Sequence, residues 1–151
     1  MNGPLGALTY VVVKYATYSL WCALGVRRLV PVVRSAFRIG LKFGLVRLLI
    51  GVAAGFAIFF IGGISRLSAW NNVFLQYLIV YAPVRWFEWG IMELLITRSG
   101  RNPVHAFILG GNGRSRLWRL GGILVSHLAD IPMIAMGAGY RDMLPIGRFL
   151  C

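Results

Sequence analysis

Along the 151 residues, apolar runs of membrane length alternate with short basic stretches. The first run, Leu5 to Val26, is 22 residues, about 33 Å as a helix. A hydrocarbon core is roughly 30 Å thick, so the run is long enough to cross it. Arg27 and Arg28 close it, and Pro31 opens a stretch in which Arg34, Arg38 and Lys42 recur every four residues and share one helical face. Leu48 to Ile64, LLIGVAAGFAIFFIGGI, then gives 17 residues without a polar side chain, the surest span in the chain. Its helix is expected to begin ahead of the membrane, which leaves the Arg34, Arg38, Lys42 face among headgroups.

Length arbitrates the third span. Val73 to Val84 is only 12 residues, about 18 Å as a helix and too short to cross. Two readings stand. The favoured one is a continuous helix from about Val73 to Ile96 that carries Arg85 and Glu88 into the membrane. In the other, the helix breaks at Pro83 and its second half lies in the interface, where Trp86 and Trp89 would suit headgroup depth. The segment TRSGRNPVHAFILGGNGRSR, dense in Gly, Asn, Pro and Ser, reads as a loop with a half-buried dip over Val104 to Leu109. Ser115 can cap a last helix from about Arg116 to Gly137, kinked at Pro132, and the tail GYRDMLPIGRFLC is short and amphipathic. The pattern predicts an all-α, polytopic membrane protein: a single transmembrane domain over 1–151, with four helices at about 5–26, 45–64, 73–96 and 116–137 and short basic loops.

Composition agrees with the pattern. Hydrophobic residues make up 58% of the chain and charged ones 13%, against roughly 25% charged in soluble domains. A mean hydropathy of +0.73 leaves more apolar surface than one soluble core of this size could bury. The same aliphatic and aromatic content excludes disorder. A cleaved signal peptide is not expected, because the first charge, Lys14, lies inside the apolar run and no small-x-small site follows. Cys22 and Cys151 are too few for a disulfide scaffold and form no CxxC motif.

Sixteen Lys and Arg against four Asp and Glu give a net charge of +12, and their placement sets an orientation. Arg27, Arg28, Arg34, Arg38, Lys42 and Arg47 follow the first span, and Arg98, Arg101, Arg114, Arg116 and Arg119 follow the third. These eleven fall on one side, against Arg66, Arg141 and Arg148 on the other. The positive-inside rule then turns both termini to the periplasm or intermembrane space of a bacterial inner membrane or a mitochondrial inner membrane. Arg27, Arg28, Arg34, Arg38, Lys42, Arg114 and Arg116 are expected to contact lipid headgroups. Bound lipid is expected, and no cofactor is predicted. Nucleic acid is not expected as a partner, because orientation already accounts for the basic residues.

Gly40, Gly44, Gly51, Gly55 and Gly62, spaced 4, 7, 4 and 7, fall within about 60° of helical arc. Small residues let helix backbones approach closely in lipid. The stripe serves either packing within the chain or docking of another subunit or a second copy. Charges at mid-membrane form a second constellation: Lys14, Arg85, Glu88, His127 and Asp130, expected to gather as one buried cluster of zero net charge with His127 neutral. It reads as internal ion pairs fixing helix register or, more sharply, as a proton or ion relay helped by Pro83 and Pro132. Glu93 points elsewhere and is expected to answer Arg98. His127 and Asp130 share a face but lack further ligands, so no metal is predicted. Ser126 and His127 diverge on a helix, and no catalytic residues are assigned. GGNGRSR lacks the GK[ST] ending of a phosphate loop, leaving a lipid headgroup as its natural anion.

The short loops leave little room for a soluble active site. The leading expectation is therefore a small accessory or assembly subunit of an inner-membrane complex, in contact with lipid and with other membrane subunits or copies of itself. A small ion- or proton-coupled transporter is the alternative, and a membrane enzyme acting on lipid the third.

Overall fold

The computed structural model describes residues 4–30, 33, 35–65, 73–97 and 103–137, with side chains described over 8–30, 33, 35–57, 81–97 and 104–131. Arg34, Arg66, Arg98, Arg101, Arg141, Asp142, Arg148 and Cys151, and the surroundings of Gly62, lie outside these. Five helices follow in chain order: α1 (Pro4–Leu29), α2 (Ala36–Ser65), α3 (Val73–Thr97), α4 (Pro103–Leu109) and α5 (Gly113–Gly137). Among the described residues the chain is all-helical apart from short connections.

The four long helices alternate in direction. Gly40 and Gly44 of α2 face Ala23 and Ser19 of α1, Trp118 and Gly121 of α5 meet Gly25 and Trp21 of α1, and Arg47 of α2 reaches Glu88 of α3. Tyr18 of α1 and Trp89 of α3 meet edge to face, their ring centroids 5.9 Å apart. Trp118 packs on Trp89 in the same way at 5.2 Å. Trp89 is fully buried at the centre of this core, with Cys22, Val26, Met92 and Ile96 around it. Helix α3 is continuous through Pro83, as the favoured reading expects. Trp89 is therefore a core residue rather than an interfacial anchor.

Each long helix buries a stripe that mixes apolar and ionisable side chains and exposes a largely apolar one. The buried stripe of α1 includes Tyr10, Lys14, Tyr18 and Cys22; that of α2 includes Gly40, Gly44 and Arg47; that of α5 includes Trp118, Arg119, Ser126 and Asp130. The exposed stripes are aliphatic and aromatic: Leu8, Val12 and Leu20 on α1, Leu45 and Leu49 on α2, Phe87, Ile91 and Leu95 on α3, and Leu117, Leu120, Leu124, Leu128 and Ile131 on α5. Ala36–Ala57 of α2 is long and apolar enough to cross a membrane, and among the described residues it is one such stretch where four were expected. The physical reason lies in the buried stripes, because ionisable side chains interrupt the apolar sequence of α1, α3 and α5.

Two local expectations are corrected. The Val104 to Leu109 dip is helical: Pro103 occupies the first position of α4, where its missing N–H costs nothing, and Gly110 at φ +80° ends it by donating to Ala106 O at 3.0 Å. The cap of α5 is Asn112 rather than Ser115. Asn112 Oδ1 accepts from Ser115 N at 2.9 Å, which satisfies an otherwise orphan donor of the first turn and starts the helix at Gly113.

Candidate functional site

Three buried ionic groups lie along the bundle axis. The first centres on Asp130 of α5, whose Oδ1 accepts from Lys14 Nζ at 2.8 Å and from Tyr10 OH at 2.6 Å. Its Oδ2 accepts from Arg85. Tyr10 and Lys14 are one turn apart on α1, so both reach the same carboxylate, and Lys14 also donates to Tyr10 OH at 2.6 Å. The Lys14 ammonium lies 4.8 Å from the Tyr10 ring centroid. Arg85 also contacts His127 Nδ1.

The second group lies one turn along α3. Glu88 Oε2 accepts from Arg47 Nη2 at 2.5 Å, and the Arg47 guanidinium stacks 4.8 Å from the Tyr18 ring and 5.1 Å from the Trp89 ring. Two aromatic faces and one carboxylate surround this fully buried cation. The remaining Arg47 donors Nε and Nη1, together with Tyr18 OH, Ser19 Oγ and Glu88 Oε1, have no hydrogen-bond partner among the described residues.

The third group holds the end of the bundle together. Glu93 Oε2 accepts from Arg119 Nε at 2.6 Å, and Glu93 Oε1 accepts from Gly111 N at 3.3 Å. Arg119 also donates to Phe107 O at 2.7 Å and to Ala106 O, and Trp86 Nε1 donates to Ile108 O at 2.7 Å. These donors satisfy carbonyls at the end of α4, which fixes the short helix against α3 and α5.

All four basic members, Lys14, Arg47, Arg85 and Arg119, are fully buried, and the three carboxylates are at most 4% exposed. Of the expected cluster, Lys14, Arg85, His127 and Asp130 come together, whereas Glu88 takes Arg47 as its partner. Glu93 pairs with Arg119, and its expected partner Arg98 lies outside the described residues. Neither Arg47 nor Arg119 was expected inside, because each stands at the edge of a basic stretch that reads as a loop. The available signal was spacing. Arg47 continues the 40, 44, 51, 55 face of α2, and Arg119 lies 7 and 11 residues before Ser126 and Asp130 on α5.

Gly40, Gly44, Gly51 and Gly55 are all buried. A Cβ on Gly40 would lie 2.5 Å from Ala23 Cβ, and one on Gly44 would lie 2.8 Å from the Ser19 backbone, so this part of the stripe seats α1. Arg27, Arg28, Arg38, Lys42, Arg114 and Arg116 are exposed, and all lie at the end of the bundle where α1 finishes and α5 starts. His105 is exposed on α4, and no three His, Cys, Asp or Glu side chains among the described residues could hold a metal together. Compared with known protein families, with characterised proteins and with solved structures, the chain matches none.

Proposed function

We propose that the chain is an integral membrane protein in which α1, α2, α3 and α5 cross the bilayer, and that it serves as a small accessory or assembly subunit of an inner-membrane complex. One observation carries this reading: the ionisable side chains at mid-helix are inside and paired, while rows of leucines face outward. In water that arrangement would expose a continuous apolar surface and bury costly charge. In lipid it is the stable one, since an intramembrane charge faces the bundle interior and pairs there.

A structural role follows from how the charges are used. Every described carboxylate is engaged by a buried base, and the pairs tie α1 to α5, α2 to α3 and α3 to α5. Ionic pairing of this kind fixes helix register. Since Gly40 and Gly44 are occupied by α1, contacts with neighbouring subunits pass to the outward faces that carry Phe37, Phe56 and Phe87. Orientation keeps its basis after Arg47 and Arg119 are removed from the eleven basic residues, because nine remain against three. The basic end then faces cytoplasm or matrix, and both termini face the periplasm or intermembrane space.

The test is purification in mild detergent with the native mass of the particle measured and its components identified. Unrelated membrane subunits in defined ratio support the reading, and a lone homo-oligomer opposes it. A transporter remains the second reading, favoured by Tyr18 OH, Ser19 Oγ, Arg47 Nε and Nη1, and Glu88 Oε1, which have no partner among the described residues and can take water or a small ion. Under that reading Glu88→Gln abolishes flux in reconstituted vesicles at unchanged protein level. Under the structural reading it lowers the amount of folded protein.

A further inference from the structure

At the basic end, a cleft of about 460 Å³ opens between the last turn of α1 and the first turn of α5. It is lined by Arg27 and Arg28 from α1, by Arg114 and Leu117 from α5, and by the Trp118 indole. Gly25 makes the cleft by letting Trp118 seat against α1, since a Cβ there would fall 2.6 Å from Trp118 Cε2. Trp118 Nε1 donates to Trp21 O at 3.3 Å, which holds the indole in place.

The electrostatics of the cleft are one-sided. None of its three arginines forms an ion pair with a carboxylate among the described residues, since the pairs engage Lys14, Arg47, Arg85 and Arg119. Arg27 and Arg28 suit the C-terminus of α1, where the helix dipole is negative. Arg114 does not have that excuse. It stands in the first turn of α5, which contains no acidic residue, at the positive end of the dipole. Three guanidiniums and a helix N-terminus therefore converge on one space, and an anion bridging them removes their mutual repulsion.

The apolar side of the cleft says what kind of anion. Leu117 on its wall is 66% exposed, and Leu120 and Leu124 continue from it along the same face of α5, away from the arginines. A ligand that fills both parts carries negative charge at one end and hydrocarbon at the other. We infer that the cleft binds one anionic phospholipid, its phosphate held by Arg27, Arg28 and Arg114 and an acyl chain lying on Leu117, Leu120 and Leu124. This inference rests on the membrane-embedded reading and names a specific lipid site within it.

The test is native mass spectrometry of the full chain in mixed micelles containing phosphatidylglycerol and phosphatidylcholine. One phosphatidylglycerol should be retained preferentially. Replacing Arg27, Arg28 and Arg114 together by Gln should reduce that preference at least about tenfold, since each basic group near the surface contributes several-fold. Replacing Arg38 and Lys42 by Gln, at the same end but outside the cleft, should leave it within about twofold. A triple variant that keeps the preference overturns the inference, as does inorganic phosphate at millimolar concentration displacing the lipid. Should the triple variant fail to fold, the wild-type protein decides: its melting temperature must rise in phosphatidylglycerol relative to phosphatidylcholine, and equal values refute the site. Failure of the underlying reading looks different, because the chain would then stay monodisperse without detergent.

Discussion

Arg47 and Glu88 show what a buried pair demands at the level of single residues. Glu88→Leu leaves the Arg47 guanidinium in the core with two aromatic rings and no carboxylate. Breaking such a pair from one side costs about 3–5 kcal/mol, whereas replacing both members with apolar groups of similar volume is close to neutral. Denaturation in detergent should therefore show a large loss for Glu88→Leu and recovery of most of it in the Arg47→Met, Glu88→Leu double variant. Additive losses would mean the two side chains do not interact. The same double variant separates the functional readings, since a transporter that depends on Glu88 stays inactive even where the fold is restored. Glu88 was legible in the sequence as a charge at depth, but its partner was not. Arg47 follows a run of basic residues on α2, and linear order assigns it to that run, whereas the neighbouring helix decides where its side chain ends.

Glycines and caps set the elements. A Cβ at Gly44 would press on the Ser19 backbone at 2.8 Å, and backbone cannot step aside as a flexible side chain can. Gly44→Leu should thus cost at least about 1–3 kcal/mol through overpacking between α1 and α2. Gly113→Ala, with nothing within 4 Å of its Cβ, should shift stability by less than about 0.5 kcal/mol. Thermal melts in detergent compare the two directly. At the turn between α4 and α5, Asn112→Ala should lower stability by about 1 kcal/mol through loss of the cap. Gly110→Ala, forced to keep φ +80°, should lower it by about 1–2 kcal/mol. Hydrogen exchange at the start of α5 should accelerate in both. The long helices and the glycine face follow from periodicity, and they were readable in advance. The short helix α4 was not, because six residues, five of them apolar, between Gly, Asn and Pro signals carry too little pattern, and its order comes from Arg119, Glu93 and Trp86.

Across the whole molecule the basic end and the buried thiol make topology testable. Cys22 is fully buried, so a thiol reagent should leave it unmodified until the protein is unfolded. With Arg38→Cys as an exposed reporter in a Cys151→Ser background, a membrane-impermeant maleimide should label from the cytoplasmic or matrix face only. Labelling from the opposite face would invert the orientation and remove the positive-inside argument with it.

By itself the sequence determined that this chain is helical and apolar on an unusual scale, that its basic residues gather at alternate connections, and that Lys14, Arg85, His127 and Asp130 occupy helix positions where a charge must find company. Those are consequences of local periodicity and of the cost of isolated charge. Only the tertiary structure decided which base meets which acid, that the glycines at 40 and 44 serve α1, that Trp89 is central, and that a cleft opens between Arg28 and Arg114. The reason is geometric: a 3.6-residue repeat fixes which face a side chain is on, but its partner depends on the rotation and axial register of a neighbouring helix. That register is set jointly by all the contacts along the pair.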